Sequence, residues 1–154
     1  IAAQVIEYNE KGDLIILSAH SSQLKKIGWN YPCGNLPSAY LTGLLLGKKA
    51  NEKKIKEAIL DAGMHKPTNG SKIYAVVSGV LDAGINIPCS KEVLPTGERI
   101  AGKHIENYAS ILKENSNGYK KQFGKYLKTN TDPHEFSKNF YLFKKKLWEG
   151  KNEK

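Results

Sequence analysis

Between Asn35 and Lys49 the chain reads Asn-Leu-Pro-Ser-Ala-Tyr-Leu-Thr-Gly-Leu-Leu-Leu-Gly-Lys-Lys. No other stretch constrains the fold as much. The Asn35-Leu36-Pro37-Ser38 opening is a helix-start signal with proline in the first turn. Tyr40, Leu41, Leu44 and Leu45 then recur at the i, i+1, i+4, i+5 spacing of a buried helical face. Gly43 and Gly47 stand four residues apart, so one side of this helix can approach another backbone closely. Lys48 and Lys49 suit the negative end of the helix dipole. A short basic helix is expected next, over 51–56.

The partner for such a helix is legible further along. Ile73, Val76, Val77, Val80 and Leu81 follow i, i+3, i+4, i+7, i+8, with Ser71 placed as N-cap and Gly84 as the C′ stop. The valines are poor helix formers, but the period decides for helix. Upstream, Gln4–Tyr8 and Leu14–Leu17 read as two strands around the turn 9–13, which contains Gly12. The second strand is nearly all apolar, which predicts a central strand covered on both faces. Ala58–Asp61 reads as a further strand, and 85–87 as a short one before Pro88. The section 88–102 reads as an irregular connection.

Beyond it the pattern is helical only: 103–115 with Ile105, Tyr108, Ala109 and Leu112 on one face, then 119–128. A last helix opens with Asp132 as N-cap, Pro133 at N1 and Glu135 in the capping-box position. Its apolar stripe is Phe136, Phe140, Phe143 and Leu147, with Lys138, Lys144, Lys145 and Lys146 largely off it. The spacing favours packing of that stripe on the domain with the lysines in water. The expected fold is α/β, a mixed sheet with helices packed on it over 1–100, followed by a basic helical extension over 101–154.

Charge restricts the partners. The chain carries 24 basic and 15 acidic residues, a net +9, and the only arginine is Arg99. Residues 101–154 hold twelve lysines against six acids, so six of the nine excess charges lie there. Such a balance favours a polyanion. Lysine acts on phosphate as a point charge, whereas arginine supplies forked readout of bases. A lysine-dominated surface fits backbone and shape recognition; a genome-wide lysine bias gives the same composition. No stretch approaches the roughly 18 apolar residues of a membrane span, and no secretory signal is visible. Cys33 and Cys89 form no CxxC pair, which fits structural thiols in a reducing compartment. The chain opens on Ile1 inside strand-like sequence, so an earlier start is expected.

Catalytic constellations are weak. Gly43–Lys49 has one spacer too few for a phosphate loop and lysine where Ser or Thr must hold magnesium. His20 precedes Ser21 and Ser22, but neighbours on a strand point to opposite faces and no Gly-x-Ser-x-Gly turn is present. A hydroxyl-rich strand end touching sugar or phosphate fits better. His20, His65, His104 and His134 lack metal-ligand spacing, and Asp61 and Asp82 give no acid–base pair. Neither a metal, a cofactor nor a small-molecule substrate is expected. The loop Gly63–Lys72 joins a strand end to a helix start, where backbone amides and the dipole favour phosphate. Lys66, Thr68, Ser71 and Lys72 add donors there. An ordinary solvated turn reads the same way.

Several runs together resemble a known family: 1–5 (Ile-Ala-Ala-Gln-Val), 36–46 (Leu-Pro-Ser-Ala-Tyr-Leu-Thr-Gly-Leu-Leu-Leu), 60–63 (Leu-Asp-Ala-Gly), 81–88 (Leu-Asp-Ala-Gly-Ile-Asn-Ile-Pro) and 102–105 (Gly-Lys-His-Ile). They are similar to the universal 5S rRNA-binding ribosomal protein of the large subunit, numbered eighteen in bacteria and archaea. Its eukaryotic counterpart is numbered five. The match spans roughly 1–112, and the short connection from Lys49 to Ala58 resembles archaeal members. Position 89 is Cys where relatives often have histidine. The family's basic N-terminal arm has no counterpart here, so weaker 5S rRNA binding than by a chain with the arm is expected.

The resemblance implies a structural protein of the cytoplasmic ribosome, without catalysis, seated in the central protuberance. Its implied partners are 5S rRNA, the large-subunit rRNA and the neighbouring 5S rRNA-binding protein; no membrane is implied. By position, the implied RNA contacts are His20, Ser21 and Ser22, with His65, Lys66, Thr68 and Lys72. Lys25, Lys26, Lys48, Lys49, Lys53, Arg99 and Lys103 join them on charge. A non-ribosomal RNA-binding or RNA-chaperone module is the alternative.

Overall fold

The computed structural model describes residues 1–150; the end of the expected extension, 151–154, lies outside the described residues. The chain opens with an antiparallel hairpin of β1 (Ala2–Glu7) and β2 (Leu14–His20). Three helices follow: α1 (Ser21–Ile27), α2 (Leu36–Glu52) and α3 (Lys72–Asp82). After a 3₁₀ turn at Lys91–Val93 come α4 (Gly97–Ile100), α5 (Lys103–Leu112) and α6 (Ser116–Lys128). A second 3₁₀ turn at Pro133–Glu135 leads into α7 (Phe136–Glu149). The architecture is α/β, with one two-stranded sheet and seven α-helices among the described residues.

The α2–α3 pair forms the centre. Asn35 caps α2 through its side chain, accepting from the Ser38 amide at 3.0 Å. Leu41, Leu44, Leu45 and Leu46 are all buried, as are Ala75, Val77 and Val80 of α3. The two helices run in the same sense and meet backbone to backbone. A Cβ on Gly43 would lie 2.0 Å from the Val76 carbonyl oxygen, and one on Gly79 would lie 2.1 Å from that of Tyr40. One on Gly47 would lie 2.4 Å from the Ala83 methyl. The side chain of Asn51 closes the far end by donating to the Ala83 carbonyl at 2.6 Å.

The sheet differs from expectation. Among the described residues β2 has only β1 beside it, so it is not a central strand, and Leu14 and Ile15 are half-exposed. A register shift between Val5 and Ile6 leaves Ile16 without a partner, which interrupts the alternation. Val5, Leu17 and Ala19 nonetheless pack on the core. The strand expected at Ala58–Asp61 reduces to one parallel bridge between Glu57 and Asn86. Pro88 has no N–H to extend that ladder, and Ile59 points into solvent.

Helix bounds also move. The helix expected over 51–56 is absent; α2 continues to Glu52, and Lys54 takes a left-handed φ of 60°. Helix α1 is an addition, and the connection 88–102 holds a 3₁₀ turn and α4. Ser71 occupies the N-cap of α3 but makes no capping bond. At the start of α7, Asp132 accepts from the His134 amide at 2.8 Å. Glu135 pairs with Lys138 at 3.5 Å, so the expected capping box does not form.

The C-terminal helices share the same core. Trp29, from the loop after α1, is buried with its ring centroid 5.1 Å from Tyr31, 5.6 Å from Phe136 and 5.0 Å from Phe143. The Trp29 indole N–H donates to Ser38 Oγ at 3.1 Å, and that hydroxyl donates to the Pro32 carbonyl at 2.9 Å. The Tyr40 hydroxyl donates to Asp82 at 2.5 Å, and Lys144 of α7 reaches the same carboxylate at 3.4 Å. Burial, reinforced by that carboxylate, raises the Tyr40 phenol far above the ordinary tyrosine range, so it stays a donor.

Gly79→Ala is expected to cost at least about 3 kcal/mol, because the new methyl meets backbone that cannot yield. Gly124→Ala, which meets nothing within 4 Å, is expected to be neutral or stabilising by up to about 1 kcal/mol. Urea unfolding of both variants checks the contrast.

Candidate nucleic-acid interface

The expected contact residues divide by what their side chains already hold. His20 is the N-cap of α1. Its Nδ1 accepts from the Ser22 amide at 3.1 Å and lies 2.7 Å from Ser22 Oγ, while the His20 amide donates to Gln23 at 3.2 Å. Ser22 is therefore not on the opposite face of a strand. The pair is a helix cap, with the imidazole nitrogen engaged by the backbone. Ser21 is buried and its amide donates to the Ile1 carbonyl at 2.8 Å. Lys25 and Lys26 lie exposed in the last turn of α1.

Lys48 and Lys49 are structural. The Lys48 ammonium donates to the carbonyls of Leu147 at 2.9 Å and of Gly150, across the C-terminal end of α7. Those carbonyls have no partner within the helix and carry its negative dipole end. Lys49 donates to the Ser18 carbonyl at 2.8 Å and to Gln23 at 3.2 Å, tying α2 to β2 and α1. Lys103 pairs with Glu98 at 3.1 Å, both well exposed. Arg99 is exposed on α4, and Lys53 is exposed at the end of α2. The exposed His104 is pushed down by partial burial and then by Arg99, which favours its neutral form.

The loop before α3 is different. Residues 63–69 are all exposed, and Met64 is fully so. Asp61 accepts from the Gly63 amide at 2.7 Å to turn the chain, and Gly63 and Gly70 take positive φ. The Gly70 amide donates to the Val93 carbonyl at 2.8 Å, which anchors the loop beside Lys91. His65, Lys66 and Thr68 stand clear of the fold, with no side-chain bond among the described residues. Lys72, the first residue of α3, reaches the Gly34 carbonyl at 3.5 Å. That contact brings the loop to the α1–α2 connection, where burial pushes the Cys33 thiol up and the nearby Lys25 offsets only part of that rise.

Lys25 and Lys72, far apart in sequence, thus share one neighbourhood, while Lys48 and Lys103 are held elsewhere. Lys125 and Lys128 of α6 also line a groove with Lys25, a convergence for which the sequence carries no local signal. Both cysteines are free. Among the described residues no acidic, histidine and cysteine cluster could hold a metal, and no helix is long and apolar enough to cross a membrane.

A family model described as "Ribosomal large subunit proteins 60S L5, and 50S L18" matches residues 1–58 and 48–90. The chain is 48% identical over 147 residues to the large ribosomal subunit protein uL18 of Methanococcus maripaludis, covering 96% of this chain and 76% of that protein.

The chain belongs to this ribosomal family.

A member of the family is a structural constituent of the large ribosomal subunit, and its place is the cytoplasmic ribosome. The family model covers the hairpin, α1, α2, the exposed loop and α3. The similarity to the archaeal relative extends beyond residue 90.

Lys48→Gln and Lys49→Gln are each expected to lower stability by about 1 kcal/mol, the worth of a lost partly buried hydrogen bond. Lys66→Gln is expected to stay within about 0.5 kcal/mol of the parent. Thermal melts of the three variants test the division into structural and free lysines.

Proposed function

We propose that the chain binds 5S rRNA and helps hold it to the large-subunit rRNA in the central protuberance, beside the neighbouring 5S rRNA-binding protein. In this reading residues 1–100 form the rRNA-binding part and 101–154 a basic helical extension. The role is architectural, without a catalytic step or cofactor.

The observation that carries the reading is the exposed loop 63–70. It presents His65, Lys66 and Thr68 without competing partners and sits directly before the N-terminus of α3, where Lys72 adds a cation. Free backbone amides and the positive end of the helix dipole favour phosphate at such a place. Structured RNA is recognised mainly through backbone and shape, and lysines serve that purpose as point charges. Of the remaining contacts, His20, Ser22, Lys25, Lys26, Lys53 and Arg99 stay exposed for RNA. Ser21, Lys48, Lys49 and Lys103 support the surface through their bonds within the fold.

Binding to cognate 5S rRNA and to a size-matched scrambled RNA across a salt series tests this. A preference for 5S rRNA that persists near physiological salt is expected, with Lys66→Gln/Lys72→Gln weakening binding and lowering the salt slope by about two. Equal, steeply salt-sensitive binding to both RNAs contradicts the proposal.

A further inference from the structure

Where α1 hands over to the loop before α2, the end of α6 comes alongside. The cleft between them is lined by Lys25, Asn30, Tyr31, Lys125, Lys128 and Thr129. Its floor is the buried Trp29–Tyr31 pair. Tyr31 is fixed from behind: its hydroxyl donates to the Asp132 carbonyl at 3.1 Å and accepts from Asn139 at 2.8 Å. Lys25, Lys125 and Lys128 are exposed and make no ion pair among the described residues. Among the described residues no carboxylate lines the cleft. The neighbouring depression, which shares Trp29, Asn30 and Tyr31, sets Asp132 and Glu135 against its one lysine, Lys146, so the unbalanced positive charge belongs to the cleft.

We propose that this cleft is a second RNA-binding site, which takes the phosphodiester backbone of a ribosomal RNA strand between α1 and α6. The inference rests on the ribosomal reading above and adds a site to it. Three lysines from two helices line the one cleft, with no carboxylate among the described residues that line it. Like charges gathered in that way repel one another unless an anion sits between them. Lysine supplies a point charge suited to phosphate, with no forked geometry for a carboxylate pair. Asn30 adds a neutral, exposed amide on the rim. Because Lys25 precedes residue 100 and the other two follow it, an RNA strand seated here bridges the N-terminal part and the C-terminal helices.

The test compares two triple variants that lose the same charge. Lys25→Gln/Lys125→Gln/Lys128→Gln removes the cleft cations. Lys113→Gln/Lys120→Gln/Lys121→Gln removes exposed lysines outside the cleft. All six side chains are exposed, and matched thermal melts check that both variants fold. Affinity for transcripts of the cognate 5S rRNA, the cognate large-subunit rRNA and a scrambled RNA is measured across a salt series.

The cleft variant is expected to bind about tenfold more weakly near physiological salt, with a salt slope lower by about three. The control variant is expected to stay within about threefold of the parent chain. The transcript that shows the loss identifies which RNA supplies the strand. Equal effects of the two triple variants on every transcript overturn the site and leave the cleft to an acidic protein segment. Failure of the parent chain to prefer 5S rRNA is a separate outcome: it strikes the ribosomal RNA specificity, while the comparison of variants still judges the cleft.

Discussion

At Gly43, Gly47 and Gly79 the backbones of α2 and α3 meet with almost no side chain between them, and the other elements take their positions from that contact. A helix pair at such close range buries its flanking leucines and valines efficiently, at the cost of tolerating no added methyl at the crossing. The hairpin packs on α2 through Val5, Leu17 and Ala19, and Lys49 fastens it there. The exposed loop before α3 depends on the same contact, because α3 sets where the loop ends.

The second organising feature is the aromatic seam around Trp29. Its rings come from the loop after α1 and from α7, with Tyr126 of α6 stacking edge-on at 5.8 Å from Tyr31. Each such pair adds about 0.5–1.5 kcal/mol beyond the burial of its area. Gly102, with φ of 84°, turns the chain just before α5; a Cβ there would lie 2.3 Å from the Phe136 ring. Lys48 across the end of α7 and Lys144 on Asp82 complete the attachment. The seam sets α6 beside α1, the arrangement that creates the lysine-lined cleft.

Helices α2, α3 and α7 were legible because their apolar periods are long and their ends carry recognisable caps. The hairpin was legible from its turn. The solvent exposure of β2 was not, since an apolar run reads as buried on both faces and a bulge leaves no mark in sequence. The strand at Ala58–Asp61 fails for a tertiary reason: a short run needs a neighbour along its whole length, and Asn86 supplies one bridge. Helix α1 is short and capped by His20, an uncommon cap, so pattern reading passes over it. At the candidate site, the loop with Lys66 and Lys72 could be found from its place between two elements. That Lys48 and Lys49 are committed to carbonyl oxygens could not, because their partners lie up to 102 residues away.

Net positive charge alone therefore overstates how many lysines are free to meet an anion. Some lysines hold the fold together, and others remain without partners around the α1–α2 connection, the loop before α3 and the cleft. Acylation footprinting of lysines, with and without bound 5S rRNA, tests this division most directly. Lys66 and Lys25 are expected to react readily in the free chain, Lys72 nearly so across its long 3.5 Å contact with the Gly34 carbonyl, and all three to be protected in the complex, while Lys48 and Lys49 react slowly in both. Unchanged reactivity of Lys66 and Lys72 on binding 5S rRNA would contradict it.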